Sequence, residues 1–238
     1  MDSIFDYEHP FVCTDAAIFT IKTEESDNYR KLPGTSLQIL LYKRATDPYM
    51  GRWCLPGGFL DIDETPEDNI RRKVSEKSYV GECRLEQLHT FCDPGRDPRA
   101  RVISIAYLGL MSEAESTRYE DKAAWFSVRP ADGSLAFERD GLLLTGADIG
   151  FDHLAIIEAA LGRMRSGAPY TDIVFDLLPE EFTLTQLQNV YEAILGRRDQ
   201  TANFRRKVID MVQETDNYTS DKGHRPARLY TKKQEVKQ

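Results

Sequence analysis

Residues 55–80 hold the stretch of the sequence most suited to chemistry. Leu55-Pro56-Gly57-Gly58-Phe59-Leu60 is a strand end running into a Gly-Gly turn, and a helix signal follows at Thr65–Val80. Thr65 suits the N-cap, Pro66 the first helical position, and Glu67 and Asp68 the positive end of the helix dipole, with Gly81 as the stop. Lys73, Glu76 and Lys77 are spaced i, i+3, i+4 and share one face of this helix. A lysine has no acceptor atom, so one carboxylate between two ammonium groups makes a poor site for a hard cation. Lysines on a helix face are commonly just solvated; the alternative is that these two meet the phosphate of a ligand. A second cluster, Cys92-Asp93-Pro94-Gly95-Arg96-Asp97-Pro98-Arg99-Ala100-Arg101, puts three arginines into six residues of a loop stiffened by prolines. Such guanidinium groups could grip phosphate bidentately, or could form an ordinary basic loop. Arg52, just before the Gly-Gly turn, is counted with Lys73, Lys77, Arg96, Arg99 and Arg101 as a candidate ligand contact.

These residues need elements to position them. Val12–Lys22, Leu37–Arg44, Arg101–Leu110 and Ala123–Val128 read as strands, with Thr23–Gly34 as a loop or hairpin connection. Phe151–Arg165 reads as a helix from Leu154, Ile157, Leu161 and Met164, with His153 as a structural helix residue. Ser166-Gly167-Ala168-Pro169 reads as a short linker. Beyond it Pro179–Leu195 begins with a helix-start signal where Thr183 can cap, with Leu184, Leu187, Tyr191, Ile194 and Leu195 as one apolar stripe and Gly196 as the stop. A second helix over roughly Thr201–Gln213 buries Phe204, Val208, Met211 and Val212. Two helices about a tight turn are a helix-turn-helix or a plain helical hairpin. Tyr218–Tyr230 reads as a strand, an Asp221-Lys222-Gly223 turn and a returning strand, a wing with His224, Arg225 and Arg228 near its tip and edge. Trp53 and Trp125 read as core or core-edge aromatics.

The stretch from Gly58 resembles the Nudix hydrolase box, G-x5-E-x7-R-E-U-x-E-E-x-G-U with U aliphatic. Gly58, Glu64, Arg72, Val74, Glu76 and Val80 fall in register, while Lys73 and Lys77 stand where two glutamates belong and Tyr79 where the glycine belongs. In that family the helix face is a carboxylate cluster holding Mg²⁺, which activates the water that attacks a diphosphate. The resemblance therefore implies the fold with a degenerate box, no catalytic residue and no metal. Cys92–Ser104 resembles the RDPR segment of ADP-ribose-type Nudix domains. The run Phe182–Tyr230 (FTLTQLQ, YEAILGR, NFRRKV, RPARLY) resembles the winged helix of Nudix-related transcriptional regulators of the NrtR type, which control NAD metabolism.

Composition agrees with a two-part molecule. The chain has 238 residues, 41% hydrophobic and 29% charged, enough apolar surface for a real core. The longest apolar runs span four or five residues, which excludes a spanning helix, and the acidic first ten residues do not form a secretory signal. Four cysteines without CxxC spacing read as reduced cytoplasmic thiols. Residues 197–238 hold eleven Lys/Arg against six Asp/Glu, a net +5, which leaves −13 on 1–196. A basic segment on an acidic chain suggests nucleic acid as its partner. The expected architecture is thus an α+β fold, an α/β/α Nudix sandwich over 1–166, followed by a winged helix-turn-helix over 167–238. The expected function is a cytoplasmic, ligand-responsive regulator, a repressor that needs no cofactor. It would bind ADP-ribose or a related nucleotide or sugar, and as a homodimer operator DNA. Candidate DNA contacts are Thr183, Thr185, Thr201, Asn203, Arg205, Arg206, Lys207, His224, Arg225 and Arg228. The competing reading is a metal-dependent pyrophosphatase acting on ADP-ribose or another nucleoside diphosphate, drawing its carboxylates from Glu64, Glu67 and Glu76. A Nudix-derived protein scaffold is the third.

Overall fold

The structure, a computed structural model, describes residues 6–23, 34–78, 83–113, 123–131, 133–168, 172–219 and 226–234. Its centre is a sheet built on β1 (Phe11–Thr23), β2 (Thr35–Lys43), β6 (Val102–Leu110) and β7 (Ala123–Ala131). The order is β5-β6-β1-β2-β7-β8-β9, where β5 is Arg84–Phe91, β8 Ser134–Arg139 and β9 Leu142–Leu144. Short β3 (Trp53–Cys54) pairs with β2, and β4 (Gly57–Phe59) pairs with β1. β1 and β6 run parallel, from Phe11 opposite Val102 to Phe19 opposite Leu110, and the other pairings are antiparallel.

β1 is buried continuously from Cys13 to Ile21 because both faces of the sheet are covered. On one face Ala16, Ile18, Leu40, Tyr107 and Trp125 receive Ile70 and Val74 of α1 (Pro66–Ser78). On the other, Ala17, Phe19, Ile39, Leu41 and Phe126 pack in one cluster with Ile156, Ile157, Ala160, Leu161 and Met164 of α2 (His153–Gly167). Each such large apolar side chain contributes about 1.5–3 kcal/mol by leaving water. Leu187, Val190, Tyr191 and Ile194 of α3 (Leu184–Leu195) belong to that same cluster, so the C-terminal helices dock on the sheet. α4 (Thr201–Val208), β10 (Val212–Tyr218) and β11 (Arg228–Lys232) complete the C-terminal part. Phe182 and Tyr230 exchange both backbone hydrogen bonds, 2.9 and 2.8 Å, which ties the segment before α3 to β11 of the wing.

Two local expectations change. Ser166 and Gly167 are the last turn of α2 and Ala168 is buried, so these residues belong to the helix end rather than to a linker, while Pro169 lies outside the described residues; small residues let the helix end against the core. The helix from Thr201 stops at Val208, passes through one 3-10 turn at Ile209–Met211 and enters β10 at Val212. Ladder hydrogen bonds to β11 win over helical continuation there. β5, β8 and β9 had no clear signature. The expected stop at Gly81, Tyr79 and Val80 of the box, and the wing tip with His224 and Arg225 lie outside the described residues. Among the described residues all four cysteines are free, and no helix is long and apolar enough to cross a membrane.

Candidate functional site

A cavity of about 310 Å³ opens between β4, the C-terminal half of α1, the loop after β5 and the start of α2. The turn that begins it tolerates no side chain at residue 57: a Cβ on Gly57 would lie 2.2 Å from both Asp15 Oδ1 and the Thr14 carbonyl. A Cβ on Gly58 would meet only the flexible stem of Lys73, at 2.8 Å. Thr65 caps α1, its hydroxyl accepting from the Asp68 amide at 3.2 Å. Glu64 ties the loop to the helix. It accepts from the Asp61 amide at 2.9 Å, from Asn69 at 2.5 Å and from Arg72 through both oxygens. The Arg72 hydrogen bonds outweigh burial, and with smaller help from Asn69 and Asp61 they hold the Glu64 carboxyl down at about 2. Arg72 also reaches Asp61 at 2.8 Å and Glu76 at 3.1 Å.

Cations outnumber anions around the cavity: Arg44, Lys73, Lys77, Arg96 and Arg99 against Asp15, Asp61 and Asp97. Lys77 is not the solvated lysine that its surface spacing suggested. Its Nζ donates to the Gly57 carbonyl and, at 3.2 Å, to the Tyr42 hydroxyl, and stands 4.4 Å from the Tyr42 ring centre. The carbonyl and the ring are the partners that draw it inward. Lys73, a fifth exposed, reaches Glu76 at 3.4 Å. Arg96 is 3% exposed and forks onto Asp152 at 2.9 and 2.7 Å, with Asp15 at 3.4 Å. Burial opposes its charge, but those two carboxylates outweigh burial and its basicity rises. Arg99 forks onto Asp97 at 3.0 and 2.7 Å and lies over Phe59 at 5.2 Å and Phe151 at 5.8 Å. Two of the arginine candidates stay outside. Arg101 is exposed and donates to the Cys92 carbonyl at 2.7 Å, closing its own loop, and Arg52 is exposed on the turn before β3. The cavity instead recruits residues that carried no sequence signal, among them Arg44 at 5.0 Å from the Phe151 ring.

The floor is polar and buried. Asp15 Oδ2 accepts from Ser104 at 2.6 Å, and the Leu55 amide donates to His153 Nδ1 at 2.9 Å. That bond leaves the proton of a neutral imidazole on Nε2, which is 3.5 Å from Asp15 Oδ1. Burial lowers the His153 pKa against the pull of Asp15 and Asp152. Burial, with Asp15 beside it, pushes the Cys13 thiol up to about 12, so it stays protonated. Phe151, in front of His153, has a φ of 54°, a conformation costing a non-glycine residue about 1–2 kcal/mol. Among the described residues no group of three or more His, Cys, Asp or Glu is arranged to hold a metal. Glu67, raised as a possible ligand, accepts from the Tyr107 hydroxyl at 3.1 Å.

The second candidate surface is on α3, α4 and the wing. Thr183 and Gln186 form a capping box, with the Gln186 amide 3.1 Å from the Thr183 hydroxyl, so that hydroxyl is already engaged; Thr185 is exposed. Gly196 ends α3 in the left-handed region at φ 66°. Thr201, Arg205, Arg206 and Lys207 are exposed on α4 while Phe204 and Val208 face the core, and Asn203 is half-buried. Arg206 donates to Asn203 Oδ1 at 2.5 Å, and Lys207 pairs with Asp199 at 2.7 Å. Arg197 and Arg198, also exposed, extend the cationic surface onto the turn before α4; they were readable as charges but have no helical spacing to mark them. Arg228 is held by Glu214 and by the Tyr218 hydroxyl at 2.6 Å.

Comparison with known proteins matches both halves. The family model described as the NUDIX domain matches residues 32–143, and that described as the NrtR DNA-binding winged helix domain matches 174–231. The chain is 31% identical over 94% of its length, and 83% of the relative's, to the ADPR responsive transcriptional repressor NtrR of Acinetobacter baylyi. It is 35% identical to the ADP-ribose pyrophosphatase of Methanocaldococcus jannaschii, over 43% of this chain and 52% of that one. Among solved structures, Shewanella oneidensis NrtR complexed with a 27mer DNA superposes with a TM-score of 0.69 at 32% identity, covering 93% of each chain.

Proposed function

Because this chain belongs to the NrtR family, which joins a NUDIX domain to a DNA-binding winged helix, we propose that it is a transcriptional repressor whose cavity senses ADP-ribose. The observation that carries this reading is the pairing, in one chain, of a cation-rich cavity with a helix presenting Arg205, Arg206 and Lys207 to solvent. A diphosphate needs cations near it, and Lys73, Lys77, Arg96 and Arg99 supply them without metal. Phe59 and Phe151 offer rings against which a base or ribose could pack. The Acinetobacter relative is named for its response to ADPR and the Shewanella relative is bound to DNA, which supports assigning both partners here.

The division of labour assigns residues 1–166 to sensing and 167–238 to DNA. Thr185, Thr201, Asn203, Arg205, Arg206 and Lys207 contact the duplex, with Arg197 and Arg198 beside them. The protein acts in the cytoplasm as a homodimer on a palindromic site, within NAD metabolism. It does not hydrolyse its ligand. The NUDIX fold implies a divalent cation on the α1 face, and the residues present do not fit one. Positions 73 and 77 carry ammonium groups, and Arg72 and Lys73 already hold Glu76.

The test begins with a duplex that the full-length protein selects from a random-sequence pool. Titration of ADP-ribose against that complex, with no metal added, should release DNA. The same preparation with Mg²⁺ or Mn²⁺ should yield no AMP. Turnover near 1 s⁻¹, within the ordinary enzyme range, would reverse the assignment. Release by a free pentose with no response to ADP-ribose would replace the effector and keep the regulator.

A further inference from the structure

Asp152 occupies the N-cap position of α2, where an aspartate ordinarily accepts a hydrogen bond from an amide of the first turn. Here its side chain makes no such bond. Both oxygens are turned to Arg96 instead, accepting from Nε at 2.9 Å and from a terminal nitrogen at 2.7 Å. Phe151 and His153, on either side of it, line the cavity, as does Arg96. The start of α2 is therefore fastened to a cation that any anionic ligand entering the cavity would approach. Thirteen residues later, about 20 Å along the axis, the same helix touches the DNA-binding part: Arg165 Nε donates to the carbonyl of Ile194 in the last turn of α3, at 3.1 Å. One rigid element thus has its first turn in the cavity wall and its last turn against the winged helix.

We propose that the Arg96–Asp152 pair is a ligand-operated latch, and that α2 carries its state to α3 through Arg165. This rests on the reading of the cavity as an ADP-ribose site and says how occupancy reaches the DNA. The ligand diphosphate takes the Arg96 guanidinium. Asp152, now beside the anion and without its partner, leaves Arg96 and turns toward the first-turn amides of its own helix. The backbone at residues 150–153 re-aims from the left-handed conformation of Phe151, and α2 shifts. Its far end moves the carbonyl end of α3. Asp152 and Arg165 are positioning residues, neither of which needs to touch DNA. A coupling of this kind is reciprocal, so ADP-ribose weakens DNA binding by the same factor by which DNA weakens ADP-ribose binding.

The experiment uses full-length protein, the selected duplex and ADP-ribose. It measures ADP-ribose affinity by calorimetry with and without duplex, duplex affinity by anisotropy with and without ADP-ribose, and melting temperature. In wild type the two ratios should agree at about 5–150-fold. Asp152→Asn removes the charge but keeps a capping oxygen. It should bind ADP-ribose at least as tightly as wild type, because Arg96 no longer has to be released, while the coupling ratio falls to within twofold of one. Arg165→Met, at an exposed position far from the cavity, should leave ADP-ribose affinity unchanged and lower the ratio at least threefold. If Asp152→Asn does not fold, the ratio in Arg165→Met decides alone. A wild-type ratio in both variants overturns the latch, and so does a tenfold loss of ADP-ribose affinity in Asp152→Asn, which would make Asp152 part of the binding site only. A wild-type protein blind to ADP-ribose overturns the effector reading instead.

Discussion

Replacing Arg206 and Lys207 by alanine removes two cations from a helix that is anchored by other residues. Phe204 and Val208, each 2% exposed, hold α4 to the core, and Tyr191 meets Phe204 edge-on at 5.2 Å. The double variant should therefore melt close to wild type. In free protein neither cation is idle, since Arg206 donates to Asn203 and Lys207 pairs with Asp199. These exposed contacts are weak and exchange readily for phosphate. Each lost phosphate contact flattens the dependence of log affinity on log salt by about 0.9, so the pair removes about 1.8. Between 50 and 200 mM salt the double variant should thus lose about 12-fold less affinity than wild type does. Anisotropy titrations of the selected duplex and of a scrambled duplex at four salt concentrations measure this. The losses should be alike for both sequences, because phosphate contacts carry no base information. An unchanged slope would refute the assignment of α4 to DNA. Asn203→Ala provides the contrast. It should alter preference among duplexes, since an amide can read adenine bidentately, and leave the slope alone.

Gly57→Ala should cost about 3 kcal/mol or prevent folding, because its Cβ collides with the Asp15 carboxylate and the Thr14 backbone, whereas Gly58→Ala displaces only the Lys73 stem and should fold; chemical denaturation separates them. Lys73→Met should weaken ADP-ribose binding by about 1–3 kcal/mol, the range for a charge-assisted hydrogen bond, with little change in melting temperature, as read by calorimetry. Burial keeps His153 neutral in the folded state with its pKa below 6.5, so the unfolded chain binds more protons on acidification. The stability it contributes is present above pH 6.5 and lost as pH falls below it. Denaturation between pH 7 and 5.5 should reveal that loss, and His153→Gln should flatten it; an equally steep profile would assign the loss elsewhere. Glu64 acts in a separate window, its contribution present above 4.5 and lost as pH falls toward about 2.

Local signals in the sequence proved dependable where the physics is local. The caps at Thr65 and Thr183 and the stop at Gly196 each depend on residues within one or two turns. Which arginine of the 92–101 loop turns inward is not local. Arg96 is drawn in by Asp15 and Asp152, 81 and 56 positions away, while Arg101 finds a carbonyl of its own loop. Lys77 likewise looked like a surface residue until the fold brought the Gly57 carbonyl beneath it. The boundary between α4 and β10 was ambiguous because Phe204, Val208, Met211 and Val212 fit a helical stripe equally well. Only pairing with Lys232 and its neighbours on β11 selects a strand from Val212.

The docking of α3 on the sheet limits how the two parts can communicate. Leu187, Val190 and Ile194 are fully buried in the cluster that also contains Phe19, Ile39 and Leu41. Releasing the winged helix as a free unit would expose those side chains at about 1.5–3 kcal/mol each, a cost that a single ligand could hardly sustain. Small displacement is therefore the available mode, and close-packed helices do shift by about 1–2 Å between alternative packings. In the proposed homodimer that amplitude is enough. Two recognition helices must meet half-sites about 34–36 Å apart. Because Tyr191 links α3 to Phe204 of α4, a displacement of α3 is passed to α4. Moving each α4 by about 1–2 Å in opposite senses breaks that match while every core contact survives. The fastening of α3 to the sheet, which at first looks like an obstacle to regulation, is what makes a small change in the cavity count at the DNA.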